Sequence, residues 1–82
     1  MTSNVKYRFV EVVWLDANRS LGWTLAGEMP QPAKCVSRGW VWQDDAAAVV
    51  LYSTITESDP VEYGETIAIP KGMVVSMKEL PA

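Results

Sequence analysis

Four tryptophans in 82 residues, at positions 14, 23, 40 and 42, are the side chains best suited to hold another molecule. An indole offers a broad apolar face, one N–H donor and a surface on which a base or a cation stacks. Cations stand close to them in sequence. Arg19 precedes Trp23, Arg38 precedes Trp40, and Lys71 adjoins Gly72 in a turn whose backbone N–H groups could receive an anion. Trp14, Asp16, Arg19, Trp23, Arg38, Trp40 and Lys71 therefore form a candidate ligand-binding set. Its rings could stack a purine while its guanidinium groups hold the phosphate. Asp16 would accept from a ribose hydroxyl or a base N–H, and its plainer role is to form a turn. Tryptophan and arginine are also enriched at subunit interfaces, so the same residues fit a protein partner.

Catalytic chemistry finds little to work with. The chain has no histidine and one cysteine, Cys35, which removes Ser-His-Asp and Cys-His arrangements, disulfide frameworks and most metal sites. Asp44 and Asp45 are adjacent, and their side chains diverge in a strand or turn, which suits a hairpin better than an acid pair. Glu57, Asp59 and Glu62 alternate loosely, without the glycine and bidentate glutamate of a calcium loop. No glycine-rich phosphate loop occurs. The expectation is a protein that is not an enzyme and needs neither cofactor nor metal. Ten acids against seven bases give a net charge of −3, the wrong sign for a protein living on a nucleic-acid polymer. No apolar run approaches a membrane span and no signal-peptide pattern opens the chain, so no membrane partner is expected.

These candidate residues must be positioned by strands. Residues 5–15 alternate with period two, placing Val10, Val12 and Trp14 on one face and Tyr7, Phe9, Val13 and Leu15, with Glu11, on the other. Residues 33–43 place Lys34, Val36, Arg38, Trp40 and Trp42 on one face and Cys35, Ser37, Gly39 and Val41 on the other. Between the two runs, residues 16–32 form a long excursion in which Gly27, Pro30 and Pro32 deny a central strand. Asp44-Asp45 connects to a third run, 47–56. Asp45 could instead cap a helix through the three alanines, but the β-branched residues from Val49 to Thr56 favour a strand. An acidic loop, 57–63, leads to a fourth strand at 65–69, and a fifth spans 73–80. The 82 residues make one domain, all-β, with five short strands in a small closed or half-open barrel and a long loop after the first strand. Cys35, alone and in a β-run, reads as a free, buried thiol in a reducing, cytoplasmic setting.

The segment Ala68-Ile69-Pro70-Lys71-Gly72-Met73-Val74 resembles the turn that joins the last two strands of SH3-like and Sm-like barrels, where an apolar-Pro pair enters one 3₁₀ turn. More widely, Trp14-Leu15-Asp16-Ala17, Gly22-Trp23, Ser37-Arg38-Gly39-Trp40, Asp44-Asp45 and Ile69-Pro70-Lys71-Gly72-Met73-Val74 resemble short proteins encoded by bacteriophages and prophages. That resemblance implies work by binding in the host cytoplasm, either occupying a host protein or sequestering a nucleotide signal of host defence. Apolar residues on both faces of the first run imply a homo-oligomer as well. The leading expectation is thus an oligomeric barrel that sequesters a small nucleotide-like anion. The alternative is an SH3-like module that grips a protein segment in an aromatic groove.

Overall fold

The computed structural model describes residues 8–19 and 21–81. They form strands β1 (Phe9–Asp16), β2 (Ala33–Asp44), β3 (Ala48–Tyr52), β4 (Thr54–Ile55), β5 (Tyr63–Gly64), β6 (Ile67–Pro70) and β7 (Val74–Glu79). Two 3₁₀ turns, Ala26–Glu28 and Lys71–Met73, complete the regular structure. Five strands make one antiparallel sheet in the order β6-β3-β2-β1-β7, and β4 pairs with β5 in a separate ribbon. The chain is mostly β, as its alternation implied.

The alternation sets the two faces. In the β1–β2 register Val10 lies opposite Gly39, Val12 opposite Ser37 and Trp14 opposite Cys35, all on the inner face. Val10, Val12, Val49, Leu51 and Ile69 are the fully buried core, with Trp14, Val41, Ile67, Val74 and Met77 packed against it. Burial of each such aliphatic side chain contributes about 1.5–3 kcal/mol. The indole N–H of Trp14 donates to Ser37 Oγ at 3.0 Å, so the polar atoms of this cross-strand neighbourhood are satisfied. Cys35 is free and half-buried, its thiol 3.7 Å from the Ala33 carbonyl.

The third apolar run divides at Ser53. Residues up to Tyr52 pair with β2 and β6, whereas Thr54 and Ile55 pair with β5. The ribbon ends at Glu65, whose φ of 52° lies in the left-handed region, uncommon for a side chain of this type. That backbone starts the fourth strand of the main sheet at Ile67, two residues later than the sequence suggested. The helix alternative after Asp45 does not form. Asp45 Oδ1 accepts from the backbone N–H groups of Ala47 and Ala48 at 2.8 and 3.0 Å, closing a tight turn directly into β3.

Edge strands β6 and β7 are not paired to one another in the sheet order. Ions link the elements at one end instead. Arg8 binds Asp44 Oδ2 and Glu79 Oε1, each at 3.0 Å, and Lys71 binds Asp44 Oδ1 at 2.6 Å. The turn after β6, the end of β2, the start of β1 and the end of β7 are thereby joined. Hydrogen bonds from Lys71 and then Arg8 hold the Asp44 carboxyl below its ordinary pKa, against an opposing desolvation. The folded state therefore takes up the Asp44 proton less readily than the unfolded chain. Its contribution is complete above the ordinary carboxylate range and is lost as pH falls through the depressed folded value, below about pH 4. Urea unfolding of the parent and of Asp44→Asn at about pH 6 and about pH 3 checks this sign. The variant is expected to be the less stable at the higher pH, with the gap closing at the lower; a gap independent of pH would contradict it.

Candidate functional site

On the outer face, cross-strand neighbours are large and aromatic. Phe9 lies opposite Trp40, and Trp40 opposite Tyr52, in successive pairs across β1, β2 and β3. The Phe9 and Trp40 rings sit 5.0 Å apart, tilted by 50°. The ladder between β2 and β3 then slips: Val41 faces Leu51 and Gln43 faces Val50, leaving Trp42 as the extra residue. Alternation along β2 already places Trp42 on the outer face with Trp40, and the bulge leaves it without a paired residue on β3. The β4–β5 ribbon supplies Tyr63, whose ring meets Tyr52 at 4.9 Å and Trp42 at 6.4 Å, both edge-on.

Two apolar grooves result, one on each side of Tyr52. The larger, about 390 Å³, is lined by Trp40, Tyr52, Ser53 and Ile55. The smaller, about 230 Å³, is lined by Trp42, Val50, Tyr52, Tyr63 and Thr66. Tyr52 is buried between them, whereas Trp42 and Ile55 stay 57% and 50% exposed. Beside the larger groove Glu65 Oε1 accepts from Ser53 Oγ and Thr54 Oγ1, both at 3.2 Å, and the connection from β4 to β5 carries Glu57, Asp59 and Glu62. Among the described residues none of these four acids is in an ion pair. Nor, among those residues, does any group of three or more His, Cys, Asp or Glu form a metal-holding cluster. The arrangement can desolvate two apolar side chains and attract a cation beside them.

The seven residues singled out from the sequence are distributed over several places. Trp14 packs on the core and is engaged by Ser37. Asp16 is exposed and accepts from the Ala17 N–H at 2.9 Å, the turn-forming role. Arg19 and Trp23 do come together, lining a hollow of about 400 Å³ in the long loop with Asn18, Gly22, Thr24, Met29 and Pro30. Trp23 is fully exposed and takes no part in the core. Arg38 lies on the outer face, its guanidinium 2.7 Å from Glu11 Oε2, and holds that carboxyl below the usual range. Trp40 lines the larger groove, and Lys71 is bound to Asp44. Tyr7, expected on the outer face, lies outside the described residues.

Tyr52, Ile55 and Tyr63 were not among the candidates. The sequence does carry a signal for Tyr52, since Val49 and Leu51 mark the inner face and leave Tyr52 on the other. Tyr63 has none, because it sits in a stretch whose acids and proline read as loop. Comparison of the chain with protein families, with curated proteins and with solved structures finds no match.

Proposed function

We propose that this protein is a non-catalytic binding module of SH3-like architecture that seats an extended, basic protein segment on the aromatic face of β2 and β3. The observation that carries the reading is the pair of apolar grooves flanking Tyr52, on a sheet face that a solitary domain ordinarily keeps polar. The sheet order β6-β3-β2-β1-β7, with a 3₁₀ turn before the last strand and a long loop after the first, supports the SH3-like assignment. Trp40 and Trp42 are two residues apart on one strand, roughly 6–7 Å at the rise of a β-strand. That separation equals the spacing of alternate side chains in an extended peptide, which is how sheet surfaces read such segments. Glu65 beside the larger groove, in no ion pair among the described residues, and the acids of the β4–β5 connection favour lysine or arginine at the flanks.

Synthetic peptides with two large apolar residues separated by one, flanked by lysines or by glutamates, test this reading through tryptophan fluorescence. Lysine-flanked peptides are expected to bind at least about tenfold more tightly, and the difference should shrink at high salt. Equal affinity for both sets, or no binding by either, would overturn the reading.

A second reading rests on the hollow that Arg19 and Trp23 share in the long loop. There an indole could stack a base while the guanidinium holds a phosphate, so that the protein sequesters a nucleotide-like anion. Its signature is a nucleotide that survives purification, leaves intact on heating, and is absent from Arg19→Ala.

A further inference from the structure

We infer that the segment seated in these grooves is the loop arm, residues 21–25, of a second copy of this chain. The inference rests on the reading of the aromatic face as a docking surface and names its occupant. The arm carries large apolar side chains that its own chain leaves uncovered: Leu21 is 81% exposed, Leu25 73%, and Trp23 fully. Three such residues at every second position are not the surface of a solitary soluble loop, where isolated apolar side chains are the rule.

The arm matches the grooves in spacing and in size. Leu25 has extended backbone, φ −73° and ψ 151°, and Trp23 stands two residues before it, whereas Gly22, at φ 82°, bends the chain and takes Leu21 out of that alternation. Alternate side chains of an extended segment lie roughly 6–7 Å apart, the separation of Trp40 and Trp42 along β2. The largest side chain of the arm, Trp23, takes the larger groove between Trp40, Tyr52 and Ile55. Leu25 takes the smaller one beside Trp42 and Tyr63. Charge agrees. Arg19, next to the arm, has no ion-pair partner among the described residues, and neither has Glu65, whose carboxylate meets the hydroxyls of Ser53 and Thr54 beside the larger groove.

Geometry separates knob from groove within one chain. The arm leaves the sheet where Asp16 pairs with Ala33. Trp40 lies seven residues further along β2, about 23 Å away at the rise of a strand. Two copies laid antiparallel bring each arm over the other's groove, so a two-fold axis closes the assembly with both contacts made at once.

Sedimentation equilibrium of the full chain, with Trp23→Ser as an arm variant and Ile55→Arg as a groove variant, tests this. The parent is expected at twice the 9.1 kDa monomer mass at micromolar concentration. Each variant should weaken self-association at least about tenfold. Mixing the two should restore a heterodimer, because one intact arm meets one intact groove. Thr66→Arg, in the smaller groove, repeats the test should Ile55→Arg lose its fold by circular dichroism. A dimer of parental strength in every variant, or a mixture no more associated than its components, would overturn the arm exchange. A monomeric parent that still binds lysine-flanked peptides would overturn the exchange and leave the docking face standing. A monomeric parent that binds none would remove both.

Discussion

Gly39→Val is expected to leave the protein largely unfolded under conditions in which the parent is folded, with Gly39→Ala intermediate between them. Gly39 is buried in the middle of β2, opposite Val10, and its backbone does not need the freedom of glycine. What it needs is space. A Cβ built there would stand 3.0 Å from the Tyr52 carbonyl oxygen and 3.1 Å from Leu51 Cβ. Both neighbours belong to the paired strand β3, so neither can rotate away like the end of a flexible side chain. Alanine therefore forces β2 and β3 apart by a few tenths of an ångström, and overpacking of this kind costs typically about 1–3 kcal/mol. Valine adds two methyl groups to the same contact. A chain of this length has a total stability of roughly 4–12 kcal/mol, so the larger substitution removes much of it. Urea midpoints order the three proteins. A midpoint for Gly39→Ala equal to the parent's would contradict the close approach of β2 to β3 and, with it, the geometry of the grooves that straddle those strands.

The parts of the fold that were legible in the sequence are those governed by period-two alternation. Val10, Val12 and Trp14 face the core, and so do Cys35, Ser37, Gly39 and Val41, because one polar-apolar rhythm runs through both strands. The three alanines after Asp45 were ambiguous by propensity. A helix loses to β3 because Val49 and Leu51 must be buried together with Ile69. Trp23 could not be placed from its type alone, since tryptophan serves core and surface equally well. The site itself was half visible. Trp40 was recognisable as an outward residue, but which residues meet it depends on pairing across 12 positions of separation, from 40 to 52. The register slip at Trp42 leaves no mark in the local sequence, and the left-handed Glu65 that ends the β4–β5 ribbon occupies a position where glycine or asparagine would have announced it. The scattering of Arg19, Arg38 and Lys71 has a similar cause. Two of the three are engaged by acids that become their neighbours only through long-range pairing.

Trp42→Ala should separate binding from folding. The ring is 57% exposed and touches Tyr63 only edge-on, so its loss is expected to cost no more than about 0.5–1.5 kcal/mol of stability. As an aromatic anchor in a desolvated contact it should contribute about 2 kcal/mol or more to binding, on the order of a thirtyfold loss of affinity for the lysine-flanked peptides. The most direct measurement of the docking claim follows the four indole N–H signals of ¹⁵N-tryptophan-labelled protein during titration with such a peptide. Trp40 and Trp42 are expected to shift in a saturable way, while Trp14, whose N–H is bound to Ser37 Oγ inside the sheet, stays in place. A titration in which Trp40 and Trp42 do not move, whatever happens at Trp23, would contradict the account.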